Sequence, residues 1–248
     1  MCIDESMFDF SVIEKTFDSR ILSYRQTLNL IATEGVSLAR FGDSEIKMLS
    51  ESFSIGFQPF SLKLQDALRN VATSTNPGLL IGFPPVFKNE QWSNMWKRLF
   101  EPTRDYFREI KEFGNTAVSR PPCFNELKQE AVDGWRKVWD DKSVLVVTGK
   151  GGRFDLYQDF FGNAKKVDIL YGPAVDAFSQ LDELKTEVLN ARSYDLYLLS
   201  LGPAATVLAA DLHSMGRKAL DVGHLSASYA FFRGDGLYPE KIEMIRES

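Results

Sequence analysis

The chain has 248 residues, 44% of them hydrophobic and 25% charged, with 29 Lys and Arg against 34 Asp and Glu for a net charge of −5. This is the balance of a folded domain with a sizeable core. It excludes a disordered chain and, without a basic excess to displace counterions, argues against nucleic acid as a partner.

Two cysteines, Cys2 and Cys123, supply neither a disulfide framework nor a spaced zinc motif. No apolar run reaches the roughly 18 residues of a membrane span, and no basic stretch followed by an apolar one opens the chain. The expected setting is cytoplasmic, with peripheral membrane association as the nearest approach to a bilayer. From the N-terminus, Phe8, Val12, Ile13, Phe17, Ile21, Leu22, Leu28, Leu30 and Ile31 recur at helical spacing. They predict one or two helices within residues 1–35, packed on the sheet of a single domain spanning 1–248.

A strand over 36–41 stops at Gly42 and leaves Asp43 and Glu45 at its C-terminal end, where open α/β sheets build ligand sites. Two carboxylates two residues apart suit Mg2+ or Mn2+, with phosphate oxygens completing the coordination. The competing reading has Asp43 capping the helix that begins near Ser44 and Glu45 favouring its first turn. Beyond it, Gly56-Phe57-Gln58-Pro59-Phe60 is a loop that either lines a pocket or anchors itself through its aromatics. Ser61 caps a helix through Val71, a turn at Asn76-Pro77-Gly78 leads into a strand over 79–83, and residues 90–113 read as helices interrupted near Pro102. Residues 116–119 are a weaker strand, closed by Arg120-Pro121-Pro122, with Arg120 either a phosphate contact or a surface residue.

From residue 142 the pattern is regular. Strands over 144–148, 167–171, 194–201 and 219–222 alternate with helices over 154–161, 181–191 and 206–215. The fold class is α/β, a Rossmann-like mostly parallel sheet with helices on both faces. Gly149, Gly151 and Gly152 can offer backbone amides to an anion at a helix N-terminus, with charge from Lys150 and Arg153. Phe154 stands where the dinucleotide fingerprint needs its third glycine, and neither a nucleoside-triphosphatase phosphate loop nor a Gly-x-Ser-x-Gly elbow occurs. His213 is an ordinary helix residue, whereas His224, after Gly223 at the end of the last strand, falls on the ligand edge as a metal ligand or pyrophosphate contact.

Several stretches together resemble the bacterial GT-D-type glycosyltransferases: LARFGDSE at 38–45, FQPF at 57–60, SRPPCF at 119–124, VVTGKGGR at 146–153, LSLGPAATVLAADLHSMGRKALDVGHL at 199–225, and Tyr229 beyond. Ser44 stands where that family usually has glycine, which leaves the acidic pair intact. The resemblance implies a hexosyltransferase that moves a sugar from a nucleotide donor, typically a UDP-sugar such as UDP-glucose, to a lipid-linked or protein-linked glycan in bacterial surface polysaccharide or glycoprotein assembly. It implies Mn2+ or Mg2+ held through an Asp-x-Glu motif that falls on Asp43 and Glu45. Arg40, Gly42, Gly149, Gly151, Gly152, Arg153, Gly202 and Pro203 would share the donor's diphosphate, His224 would stand at the catalytic edge, and residues 171–178 would meet the uracil or ribose. Asp176, Asp221 and Glu45 are open as the catalytic base. A non-catalytic nucleotide-binding module and a metal-dependent phosphohydrolase are the other readings of the same fold.

Overall fold

In the computed structural model, which describes residues 10–243, two hydrophobic cores lie on opposite faces of one sheet. Strict alternation along the strands produces them. In β4 (Ser143–Gly149), Val144 and Val146 enter one core while Leu145 and Val147 enter the other. In β6 (Leu196–Ser200), Leu196 and Leu198 divide from Tyr197 and Leu199 in the same way. Strands apolar on both sides need helices on both sides, which is the expected layering.

The remaining strands are β1 (Ser37–Arg40), β2 (Leu79–Phe83), β3 (Gly114–Asn115), β5 (Lys166–Gly172) and β7 (Ala219–Asp221). Their order is β3-β2-β1-β7-β6-β4-β5, and every pairing is parallel. Strands β1 and β7, far apart in sequence, therefore lie side by side. Together with β6 they deliver Gly42 to Glu45, Gly223-His224 and Gly202-Pro203 to one edge of the sheet.

Helices α1 (Phe10–Thr16) and α2 (Tyr24–Thr33) precede β1, joined by a short 3-10 turn at Asp18–Arg20; Phe8 lies outside the described residues. Ile13 and Phe17 enter one core, Leu28 and Ile31 the other. Further on are α3 (Asp43–Ser50), α4 (Leu62–Ala72), α5 (Glu90–Tyr106), α6 (Pro121–Leu127), α7 (Gln129–Trp139), α8 (Gln158–Phe161), α9 (Leu181–Asn190), α10 (Pro203–Ser214) and α11 (Leu225–Arg233). The Ser61 hydroxyl caps α4 by accepting from the Leu64 N–H at 3.1 Å.

Three local expectations are corrected. Helix α5 runs unbroken through Pro102, because Met95, Trp96, Leu99, Phe100 and Thr103 bury one continuous face across it. Residues Thr116–Ser119 form a 3-10 helix instead of a strand, started by the Asn115 side chain accepting from the Ala117 N–H at 3.0 Å. The helix expected over 154–161 contracts to α8. Phe154 is buried in a core, and Asp155 is held to Ser226 of α11 by two hydrogen bonds, its N–H to Oγ at 2.9 Å and Oγ to its carbonyl at 2.6 Å.

Candidate functional site

Arg40 ends β1 with its guanidinium turned inward. Nη1 donates to the Thr116 carbonyl at 3.0 Å and to Ser119 Oγ at 2.7 Å, and Nη2 donates to Asp221 Oδ1 at 2.9 Å. Asp221, 4% exposed, also accepts from the Gly223 N–H at 3.2 Å and from Thr206 Oγ1 at 3.3 Å. Burial pushes its carboxyl up, and Arg40, Thr206 and Gly223 oppose that shift. The pair is a buried brace between the ends of β1 and β7. Gly223 permits it, since its φ of +45° is left-handed and a Cβ there would run into the Arg40 guanidinium.

The acidic turn sits beside this brace. Glu45 folds back so that its Oε2 accepts the Gly42 N–H at 2.8 Å, and Asp43 Oδ2 pairs with Lys47 Nζ at 3.0 Å and accepts from Gln91 Nε2 at 3.4 Å. Glu45 is pushed up to about 7, first by burial and then by the negative charge of Asp221, with Asp43 adding to it; the Gly42 N–H pulls the other way. A carboxylate held among like charges is a place where a cation is stabilising. Among the described residues no three His, Cys, Asp or Glu side chains gather closely enough to hold a metal ion. Two carboxylates with phosphate oxygens as co-ligands are nevertheless the donor set magnesium accepts, so Asp43 and Glu45 fit a hard cation by donor chemistry.

Across the rim lies a cationic group. Arg120, at the start of α6, places Nη1 against Nδ1 of His224 and Nη2 against the Glu240 carboxylate. Arg153 Nη1 is 3.4 Å from His224 Nε2 and donates to the Pro239 carbonyl at 3.0 Å, while its Nε donates to the Glu243 carbonyl at 3.2 Å. Burial, then the charge of Arg40, pushes Arg120 down to about 10, with Tyr238 and Asp43 opposing. His224 is pushed down to about 3 by burial and by Arg120, Arg153 and Arg40 in turn, so its ring is neutral at neutral pH. A neutral imidazole offers one lone pair and no charge, so two guanidiniums against the single Glu240 carboxylate leave the group with an excess of positive charge. Of its two expected roles, His224 therefore suits the pyrophosphate contact; arginines, not carboxylates, surround it.

The glycine turns do other work than expected. No helix starts at Gly149 to Gly152, since α8 begins at Gln158, so the helix-terminus anion site predicted there is withdrawn. Two of the loop's N–H groups are used internally, Lys150 to the Gly172 carbonyl at 3.0 Å and Gly152 to the Gly149 carbonyl at 2.8 Å. Arg153, at the loop's end, is what reaches the rim. Gly202, with φ +58°, makes room for Phe57, whose Cε2 would stand 2.5 Å from a Cβ, and Pro203 opens α10.

Phe57 belongs to a loop that anchors itself. Gln58, 1% exposed, donates to Asp176 Oδ1 at 2.7 Å and accepts from the Phe178 N–H at 3.2 Å. Asp176 and Asp221, both open as bases from sequence, are thus each tied to a partner. Exposed Tyr171 borders a shallow cavity of about 300 Å³ with Pro173, Gln180 and Glu183. The larger groove, about 620 Å³, lies between α7, α8 and α11, and none of Asp43, Glu45 or His224 lines it. In the sequence Arg120 reads as either a phosphate contact or a surface residue, and the Gln58 loop as either a pocket lining or self-anchored; Glu240 carries no signal there.

The C-terminal edge of a parallel sheet, where open α/β folds build their ligand sites, here gathers the Asp43 and Glu45 carboxylates with Arg40, Arg120, Arg153 and a neutral His224. The chain belongs to the glycosyltransferase family of GT-D fold, whose model matches residues 38–245. It is similar to glycosyltransferase GlyD of Streptococcus pneumoniae, 31% identical over 235 residues that cover 90% of this chain and 29% of that protein. A probable glycosyl transferase of Streptococcus gordonii is 32% identical over 225 residues, 86% of this chain and 33% of that protein. The chain thus spans about a third of the length of these relatives. Among solved structures, a highly conserved domain described as having a distinct glycosyltransferase fold superposes with a TM-score of 0.80 at 27% identity, covering 94% of this chain and 88% of that one. A glycosyltransferase from Streptococcus sanguinis gives 0.74 at 28% identity, covering 90% and 87%.

Proposed function

We propose that the domain transfers a hexosyl group from a UDP-sugar donor, such as UDP-glucose, to a protein-linked or lipid-linked glycan acceptor in surface glycoprotein or polysaccharide assembly, with Mn2+ or Mg2+ held by Asp43 and Glu45. The observation that carries the reading is the meeting of the acidic turn with Arg120, Arg153 and His224 at one sheet edge, where Asp43 lies close enough to Arg120 for each charge to act on the other. When bound, the cation neutralises charge on the departing diphosphate. The chain's own residues do the rest. Arg120 and Arg153 take diphosphate oxygens through charge-assisted hydrogen bonds, neutral His224 donates from its N–H, and the Arg40–Asp221 brace fixes the ends of β1 and β7 beneath them.

We place this chemistry in the cytoplasm, with peripheral association as its nearest approach to a membrane. Among the described residues no helix is long and apolar enough to cross one. Turnover of a panel of nucleotide sugars, with and without chelator, tests the reading in the wild type, Asp43→Asn and Glu45→Gln. Loss of transfer in both variants is expected, and full activity in both removes the acidic pair from the mechanism. Release of free sugar at a rate indifferent to acceptor would turn the assignment toward a phosphohydrolase.

A further inference from the structure

The cationic group at the rim already has an occupant from within the chain. After α11 the backbone turns back at Gly234, whose φ is +80°, and residues 237–243 cross the rim. Pro239–Lys241 form one turn of 3-10 helix with Pro239 buried. The segment spends its polar groups on the two arginines: Glu240 sets its carboxylate on Arg120, Tyr238 bonds to Arg120 as well, and the Pro239 and Glu243 carbonyls take Arg153 at 3.0 and 3.2 Å. The Tyr238 ring packs edge-on against Phe231 with centroids 5.3 Å apart, which ties the segment to the end of α11. Glu240 itself is half exposed, so its carboxylate reaches in from solvent.

A carboxylate and two carbonyl oxygens on two guanidiniums reproduce what a diphosphate would offer the same groups: anionic and polar oxygens for planar donors. Resting on the assignment of Arg120 and Arg153 to the donor diphosphate, we propose that residues 237–243 are an intrachain latch, with Glu240 standing in for a phosphate, which the nucleoside diphosphate must displace in order to bind. Such a latch keeps the partly buried arginines paired between turnovers. It also lowers the apparent affinity for donor by the fraction of molecules latched. Because product diphosphate competes with Glu240 for the same guanidiniums, the latch helps to expel it.

The test is calorimetric titration with UDP on the full chain, alongside hydrogen exchange. Glu240→Gln is expected to tighten UDP binding by about threefold or more, a charge-assisted contact at a half-exposed pair being worth about that much. Glu243→Gln, which removes the same charge without touching Arg120 through its side chain, should change it less. On saturation with UDP the Lys241 and Ile242 amides, which bond to the Tyr238 and Pro239 carbonyls, should exchange faster. Unchanged or weaker UDP binding in Glu240→Gln, equal gains in the two variants, or slower exchange over 238–243 on binding overturns the latch. Arg120→Met and Arg153→Gln separate the two levels. If both lose UDP while Glu240→Gln is neutral, the diphosphate site stands and the latch alone fails; if neither loses it, the site assignment fails and takes the latch with it.

Discussion

Removal of one partner from the Arg40–Asp221 brace has a cost that can be worked from its surroundings. The two side chains are 12% and 5% exposed, so the pair is buried and solvent screening gives little relief. Breaking such a pair by deleting one side costs about 3–5 kcal/mol. In Asp221→Asn the guanidinium keeps its bonds to Thr116 and Ser119, which puts the expected loss near the lower figure, about 3 kcal/mol. For a domain of this size that is roughly 6–12 °C in Tm. Because Asp221 also raises the Glu45 carboxyl, the same variant should bring Glu45 back toward the ordinary carboxylate range. Thermal melts of Asp221→Asn, Arg40→Met and the Arg40→Met/Asp221→Leu double variant make a thermodynamic cycle. The double variant, with no stranded charge, should recover much of what either single loses. A loss below about 1 kcal/mol in Asp221→Asn, or strictly additive losses in the double, refutes the brace.

Other outcomes follow from the same contacts. In metal-free protein, Glu45 raised to about 7 favours the folded state fully below its unfolded pKa, near 4.5, and that contribution is lost as pH rises through about 7; melts from pH 5 to 8 should fall more steeply in the wild type than in Glu45→Gln, and parallel slopes count against the burial of this carboxyl. Gly216 and Gly223 both have positive φ, but a Cβ at 216 meets nothing within 4 Å. Gly216→Ala should therefore lose only the backbone term of about 1–2 kcal/mol, while Gly223→Ala, pressing on Arg40, should lose clearly more; equal losses in chemical denaturation contradict the close approach. Gln58→Ala strands Asp176 and the Phe178 N–H, and should cost about 1–3 kcal/mol and expose the 57–60 loop to limited proteolysis, whereas unchanged cleavage would show the loop anchored by Phe57 alone.

Six of the seven strands were legible because they are short apolar runs closed by Gly or Pro, and runs such as Val144 to Val147 have no other use than burial on both sides; the two-residue β3, Gly114–Asn115, has no such run and was not legible. The acidic turn was legible because its residues are neighbours in the chain. What sequence patterns missed is what long-range contacts decide. Residues 154–161 have the apolar content of a helix, but Ser226, some seventy positions away, holds Asp155 in a non-helical course. Pro102 reads as a break, yet the buried face of α5 outweighs one lost backbone hydrogen bond. Arg120, Arg153 and His224 come from three separate connections and meet only once β1 and β7 are neighbours. The Glu240 carboxylate on Arg120 has no local signature at all.

The proposed site sets the acidic turn after β1 and the arginines of the connections after β3 and β4 on opposite parts of one nucleoside diphosphate and its cation. A crystal structure of the full chain with UDP and manganese tests this most directly. The account predicts manganese bound by Asp43 and Glu45 and diphosphate oxygens on Arg120 and Arg153, with Glu240 displaced. Diphosphate bound elsewhere, with Glu45 still on the Gly42 N–H and Asp43 still on Lys47, would contradict it.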